Sequence, residues 1–220
     1  MSKSTLDYSI YLVLDPDITA EFGMVETAVE AAKAGATFVQ LRAPNWKKRC
    51  YYECAVALKK ALSSYNTKLI INDHVDVALA MDADGVHVGQ KDLPVQKVRQ
   101  LIGQDKILGL SVSNLGEARS VDPSIVDYVG IGPIFATNTK KDASAPVGID
   151  GFATIAKACT VPNVAIGSVK SQHIPALIKA HANGIAVVSA ICGQPNPYLA
   201  TLKLRQAWDL AIQTHKDDTI

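Results

Sequence analysis

Eight short, β-branched apolar runs alternate strictly with eight longer amphipathic stretches rich in Ala, Leu and Lys, and this alternation constrains the fold more than any other feature. Strands are predicted over 9–14, 38–42, 68–72, 85–89, 107–111, 128–132, 164–167 and 185–189. Helices are predicted over 25–34, 46–65, 75–81, 94–102, 115–121, 151–158, 171–182 and 198–214. Three helix-to-strand junctions echo one another: Ala34-Gly-Ala-Thr-Phe-Val-Gln, Ala83-Asp-Gly-Val-His-Val and Ala182-Asn-Gly-Ile-Ala-Val-Val. Each ends a helix in small residues, supplies a Gly or Asn suited to positive φ, and enters a buried strand at once. Short helix-to-strand loops opposite longer, more varied strand-to-helix loops are the pattern of a single (β/α)8 TIM barrel, here spanning 1–220. Strands such as Val164-Ala-Ile are apolar throughout, as expected when both faces are covered. A doubly wound open sheet is the alternative.

Composition excludes several classes. The 220 residues are 48% hydrophobic and 20% charged, ordinary for a globular chain. Twenty-two basic and 21 acidic residues leave a net charge of +1, too little for a field that attracts nucleic acid or an anionic membrane. Apolar runs such as Ile185-Ala-Val-Val188 are far too short to span a bilayer, and Met1-Ser-Lys-Ser-Thr-Leu-Asp has no apolar signal region. A cytoplasmic protein is expected. Cys50, Cys54, Cys159 and Cys192 show neither disulfide nor zinc spacing, which predicts free thiols in a reducing compartment.

In a barrel, polar residues just past the strands are the active-site candidates. Asp73 and Asp92 follow adjacent predicted strands, about 5 Å apart, so their carboxylates can converge on a hard cation such as Mg²⁺. Either could instead cap the helix that follows it. Asn72 offers an amide to a polar heterocycle, or serves the turn. Residues 135–150 form a long connection without periodicity, and its Ala136-Thr-Asn-Thr-Lys-Lys offers hydroxyls and ammonium groups suited to phosphate, with Gly148 and Gly151 as hinges. Gly167-Ser168 and Val188-Ser189 follow the seventh and eighth strands, a corner where barrels often hold phosphate. His87, alone in an apolar run, is expected to be a hydrogen-bonded core residue. There is no Ser–His–Asp order, nucleophile elbow or Gly-rich nucleotide fingerprint. The residues alone point to a barrel enzyme that uses Mg²⁺ on a substrate phosphorylated at two places.

Taken together, Val39-Gln-Leu-Arg42, Ile71-Asn-Asp-His, Asp84-Gly-Val-His-Val-Gly-Gln-Lys-Asp-Leu-Pro94, Tyr128-Val-Gly-Ile-Gly-Pro-Ile-Phe-Ala-Thr-Asn-Thr-Lys140 and Val187-Val-Ser-Ala-Ile191 resemble the thiamine-phosphate synthase family. The resemblance runs from Tyr11 to about Trp208. It implies a transferase that joins hydroxymethylpyrimidine diphosphate to hydroxyethylthiazole phosphate with Mg²⁺, releasing pyrophosphate. By position, Gln40, Arg42, Asn72, Ser111 and Lys140 would bind the pyrimidine diphosphate, with Arg42, Ser111 and Lys140 as catalytic donors. Asp73 and Asp92 would hold the metal. Thr137, Thr139, Gly167, Ser168, Val188 and Ser189 would hold the thiazole phosphate. The partners implied are small molecules, with a homo-oligomer left open. A thiazole tautomerase-like isomerase and a non-catalytic thiazole- or thiamine-phosphate-binding paralogue are the competing readings; the Asp pair and the Thr-x-Thr-Lys string oppose the first. Three departures stand out: Ala43-Pro44 replaces the family's Glu-Lys after Gln-Leu-Arg, Ile166-Gly-Ser-Val169 replaces Ile-Gly-Gly-Ile, and His74 replaces Arg. Lys47, Lys48 and Arg49 are the nearest substitutes for the missing lysine.

Overall fold

In β1 (Ile10–Leu14), Ile10, Leu12 and Leu14 pack outward on helices, while Tyr11 and Val13 join an inner apolar cluster. That period-2 division repeats around the molecule, which is a computed structural model describing residues 6–19, 21–137 and 144–217. The strands that follow are β2 (Phe38–Leu41), β3 (Lys68–Asn72), β4 (Gly85–Val88), β5 (Ile107–Val112), β6 (Tyr128–Ile131), β7 (Asn163–Ile166) and β8 (Gly184–Val187). Each pairs in parallel with the next, and β8 returns to β1 with Ile10 opposite Ile185, so the sheet closes into a barrel. Closure excludes the open doubly wound sheet. The outer ring is α1 (Met24–Lys33), α2 (Lys48–Leu62), α3 (Val75–Ala80), α4 (Val95–Ile102), α5 (Leu115–Arg119), α6 (Gly148–Ala158), α7 (Ile174–Lys179) and α8 (Pro197–Asp217).

Two apolar layers result. Outward residues such as Val39, Leu41, Val86 and Leu108 meet helix residues such as Ala55, Leu58 and Val98. Inside, Tyr8, Tyr11, Phe38, Ile70, Ile107, Tyr128, Val164 and Ala186 fill the barrel. The Tyr8 and Tyr11 rings stack on Phe38 at centroid distances of 4.9 and 5.1 Å. The interior is therefore solid at mid-height, and chemistry is confined to its C-terminal mouth.

The junction glycines divide between two physical roles. Gly35 does take φ of +101°. At the other two junctions the left-handed residues are Asp82 and His181, not the glycine or asparagine expected from the sequence. There Gly85 and Gly184 open their strands, where an added Cβ would fall 2.3 Å from the Ile107 carbonyl oxygen and 1.8 Å from that of Tyr8. They permit close strand approach. The helix predicted to start at 151 starts at Gly148, so Gly151 lies within α6, its Cβ position 3.0 Å from that of Val147. Gly148 donates its N–H to the Ile134 carbonyl at 3.0 Å with φ of +67°, which makes it a tethered helix start and not the free hinge expected. The seventh predicted helix is a 3-10 turn, Ser171–His173, followed by α7. Among the described residues no helix is long and apolar enough to cross a membrane. All four cysteines are free; burial pushes the Cys54 thiol up to about 11 and Cys192 up to about 12.

Candidate active site

At the C-terminal mouth, buried Gln40 lies near the end of β2 and half-buried Arg42 directly follows it. Gln40 points inward, between outward Val39 and Leu41, and donates to the Tyr11 hydroxyl at 2.8 Å. Arg42 makes no hydrogen bond or ion pair with any described residue. Below it, Tyr51 of α2 donates its hydroxyl to the Leu41 carbonyl and lies 3.3 Å from that of Asn72, tying α2 to the ends of β2 and β3. Lys48 and Arg49 do not supply the missing family lysine. Lys48 pairs with Asp76 at 2.7 Å and Arg49 with Glu53 at 3.0 Å, both on the exposed flank of the helices.

Asn72 closes β3 and donates Nδ2–H to an Asp73 carboxylate oxygen at 2.7 Å. Asp73 has φ of +60° and gives its N–H to the His87 carbonyl at 2.9 Å, which joins the ends of β3 and β4. A non-glycine residue in the left-handed region is uncommon, though aspartate tolerates it better than most. Asp92, beyond β4, accepts the Gly89 N–H at 2.7 Å. Neither aspartate caps a helix: the residues before α3 and α4 are His74 and Pro94, without side-chain caps. Both carboxylates are exposed at the mouth past adjacent strands. Among the described residues no group of three His, Cys, Asp or Glu side chains gathers to cage a metal. Two exposed carboxylates past adjacent strand ends are nonetheless the kind of hard oxygen ligand that Mg²⁺ takes alongside waters and phosphate oxygens. His74 meets the Tyr51 ring edge-on at 4.6 Å, and burial, aided by the Lys48 charge, holds its imidazole below the ordinary histidine range.

On the far side of the mouth, half-buried Ser111 near the end of β5 lies 2.9 Å from His87 Nε2, while its carbonyl accepts from Gln90 Nε2 at 2.8 Å. His87 is the hydrogen-bonded core residue expected, its Nδ1 3.0 Å from the Tyr128 hydroxyl. Thr137 is half-buried at the start of the β6–α6 connection; Thr139 and Lys140 lie outside the described residues. The stem of that connection is fixed. Phe135 donates its N–H to the Gly167 carbonyl at 3.2 Å, and its ring lies 4.3 Å from that of His173.

Gly167 has φ of +110°, and a Cβ there would sit 2.7 Å from Pro133 Cα. Ser168 is also left-handed, at +51°, and donates its hydroxyl to the Ala136 carbonyl at 2.7 Å. Its side chain therefore bridges the loops after β6 and β7, leaving the backbone as its donor toward a ligand. Half-buried Val188 accepts N–H groups from Ile191 and Cys192, and Ser189 is exposed just after it. The N–H groups of Ser168, Val169, Ser189 and Ala190 have no acceptor among the described residues. These four donors follow the adjacent strands β7 and β8. Sequence reading missed Tyr11 and Tyr128 as partners of the site; only Gly109 and Gly130, glycines inside strands, signalled a close approach.

Comparison with known proteins agrees with this geometry. A family model described as thiamine monophosphate synthase matches residues 10–191. The thiamine-phosphate synthase of Laribacter hongkongensis is 46% identical over 203 residues, covering 92% of this chain and 96% of that protein. Its counterpart in Azorhizobium caulinodans is 49% identical over 190 residues, covering 86% and 90%. The solved thiamine phosphate pyrophosphorylase from Pyrococcus furiosus superposes with a TM-score of 0.85 at 32% identity, covering 94% of this chain and 98% of that one. 3-Hexulose-6-phosphate synthase shares only the fold, with a TM-score of 0.68 at 20% identity over 90% and 99%. A chain that carries the family's motifs at the mouth of the family's barrel, and matches its model over most of its length, belongs to the thiamine monophosphate synthase family, whose members are transferases.

Proposed function

We propose that the chain condenses 4-amino-2-methyl-5-hydroxymethylpyrimidine diphosphate with hydroxyethylthiazole phosphate to give thiamine phosphate and pyrophosphate, with Mg²⁺ required. Family membership supports the reaction, and Arg42 is the observation that carries its placement. A half-buried guanidinium at the barrel mouth, with no hydrogen bond or ion pair among the described residues, has its donors available to an anionic ligand. A departing diphosphate is such an anion, and Arg binds it bidentately.

The roles follow from position. Asp73 and Asp92 would hold Mg²⁺, which when bound neutralises charge on the leaving diphosphate oxygens. Arg42 stabilises the same charge from β2, Ser111 donates from β5, and Lys140 is assigned the third cationic contact. Gln40 and Asn72 offer amides to the aminopyrimidine. Thr137, Thr139, Gly167, Ser168, Val188 and Ser189 are assigned to the thiazole phosphate, with backbone donors at the β7–β8 corner carrying most of the grip. The ring amine pushes electrons toward the exocyclic carbon, so the C–O bond breaks with its pair leaving on pyrophosphate. The thiazole nitrogen then supplies the pair for the new C–N bond. That nitrogen carries no proton, so no general base is required.

The test is one assay with both substrates, in Mg²⁺ and in EDTA. Thiamine phosphate and pyrophosphate should appear in equal amounts with Mg²⁺ and stop in chelator. Full turnover in EDTA overturns the metal assignment. No product with Mg²⁺ present overturns the function, and conversion of thiazole phosphate alone without metal favours the isomerase.

A further inference from the structure

Beneath the mouth, the barrel interior carries an unbroken chain of side-chain hydrogen bonds. Gln40 Nε2 donates to the Tyr11 hydroxyl at 2.8 Å, and the Tyr11 and Tyr128 hydroxyls lie 2.7 Å apart. The Tyr128 hydroxyl lies 3.0 Å from His87 Nδ1, and His87 Nε2 lies 2.9 Å from Ser111 Oγ. All but Ser111 are buried. The chain crosses β2, β1, β6, β4 and β5 in turn, and its two ends are residues assigned above to the pyrimidine diphosphate.

Its polarity follows from counting hydrogens. A tyrosine hydroxyl has one to give. The Gln40 amide donates into Tyr11; if Tyr128 donated there too, the Tyr11 hydrogen would have no acceptor among the described residues. Run the other way, every donor finds an acceptor: Tyr11 gives to Tyr128, Tyr128 to His87 Nδ1, and His87 Nε2–H to Ser111 Oγ. Ser111 then keeps its own hydrogen for a ligand. Gln40 Oε1, which makes no hydrogen bond among the described residues, stays an acceptor.

The barrel also makes room for the chain. A Cβ at Gly109 would fall 2.2 Å from Tyr128 Cζ and 2.5 Å from His87 Nδ1. One at Gly130 would fall 3.3 Å from His87 Cε1. Glycine within a strand weakens it, so two such inward positions mark a space kept for something. Burial raises the pKa of both tyrosines, so their hydroxyls remain protonated donors at neutral pH.

We propose that Tyr11, Tyr128 and His87 are positioning residues that hold Gln40 and Ser111 as a matched pair, an acceptor and a donor of fixed polarity, toward the pyrimidine diphosphate. The proposal rests on the functional reading above. Networks of this kind couple their ends more strongly than single contacts do.

Tyr128→Phe and Tyr11→Phe keep the rings and remove one link each. Steady-state kinetics should show kcat/KM for the pyrimidine diphosphate falling at least about tenfold in each, with KM for thiazole phosphate within about twofold. Tyr8→Phe removes a hydroxyl outside the chain and should match wild type. The decisive arm places Tyr128→Phe in a Ser111→Ala background, where its effect should shrink to less than about threefold, because Tyr128 acts through Ser111. A merely structural role predicts instead equal losses for both substrates and an undiminished effect in the double variant; either overturns the proposal. Should Tyr128→Phe fail to fold, Tyr11→Phe combined with Gln40→Ala tests the other end in the same way. A wild type without synthase activity overturns the functional reading and this proposal with it. An active wild type matched by both Tyr→Phe variants overturns this proposal alone.

Discussion

Pro44 sits at the second position of a turn in which Trp46 N–H bonds the Ala43 carbonyl at 3.1 Å, a place where its fixed φ suits the backbone. The family lysine is thus replaced by a turn former, and neither Lys48 nor Arg49 compensates, since both are held on the flank. Pro44→Lys should tighten the pyrimidine diphosphate several-fold and leave thiazole phosphate unchanged. A charge-assisted hydrogen bond contributes about 1.5–3 kcal/mol, and ordering the flexible lysine side chain offsets about 0.5–1.5 kcal/mol of it. Isothermal titration with each substrate separately checks it; equal gains for both ligands would mean the subsites are wrongly placed. Asp92→Asn should raise the Mg²⁺ concentration for half-maximal rate about tenfold or more, since one of two hard ligands is lost. A Mg²⁺ titration at saturating substrates that superposes on wild type would remove Asp92 from the metal site. The residues legible in the sequence are those, like Arg42, Asp73 and Asp92, whose charge interrupts an apolar pattern at a strand end. Tyr11, Tyr128 and His87 were not legible as a unit, because an inward tyrosine and an inward histidine each read as core. Only the fold sets their hydroxyl and ring nitrogens 2.7 and 3.0 Å apart across three strands.

The barrel elements stood out in the sequence because every strand is a short apolar run and every helix carries an amphipathic stripe, and both periods survive without tertiary information. What did not stand out lies at the joints. Gly148 and Gly151 read as loop hinges, yet α6 starts at Gly148 because Val147 and Gly148 donate to the Pro133 and Ile134 carbonyls, long-range contacts no local pattern contains. The same holds for Arg99. On α4 it is 6% exposed and donates to the carbonyls of Ile125, Gly103 and Lys106 as well as to Asp127 at 2.7 Å, none of them within its own helix. Asp127 in turn accepts the Leu108 N–H at 2.8 Å, so this pair fastens α4 to the N-terminal ends of β5 and β6. Arg99→Met keeps the apolar stem but removes the cation from the Asp127 carboxylate and a donor from three carbonyls. Removing one partner of a buried pair costs about 3–5 kcal/mol, and urea denaturation should show a loss of that size. Because the pair lies at the end of the barrel opposite the active site, KM values of the protein that remains folded should stay near wild type. A loss below about 1 kcal/mol would class the pair with surface ion pairs.

Across the whole molecule, the candidate site draws on β2 through β8, and several of its internal bonds join one strand end to the next: Asp73 to His87, Gln90 to Ser111, Ser168 to Ala136. A ligand that spans Arg42, Asp73 and Asp92 therefore grips three consecutive strand ends of a closed ring, and unfolding any part of that ring releases it. Binding to the folded state alone stabilises by linkage, about 2.7 kcal/mol at a ligand concentration 100 times Kd. For a chain of this length each kcal/mol moves the melting temperature by about 2–4 °C. Pyrophosphate with Mg²⁺ should accordingly raise it by roughly 5–11 °C at that saturation. Pyrophosphate in EDTA should give much less, because Asp73 and Asp92 then present negative charge to an anion with no cation between them. Arg42→Ala should abolish most of the shift even with Mg²⁺, since the guanidinium is the half-buried counter-charge. Thiazole phosphate should still stabilise that variant, because its donors lie at the β7–β8 corner and share no residue with Arg42. Differential scanning fluorimetry of wild type and Arg42→Ala with each ligand separates these cases. Equal shifts with and without EDTA would mean that pyrophosphate binds without the aspartates, and a full shift in Arg42→Ala would place the diphosphate elsewhere on the barrel.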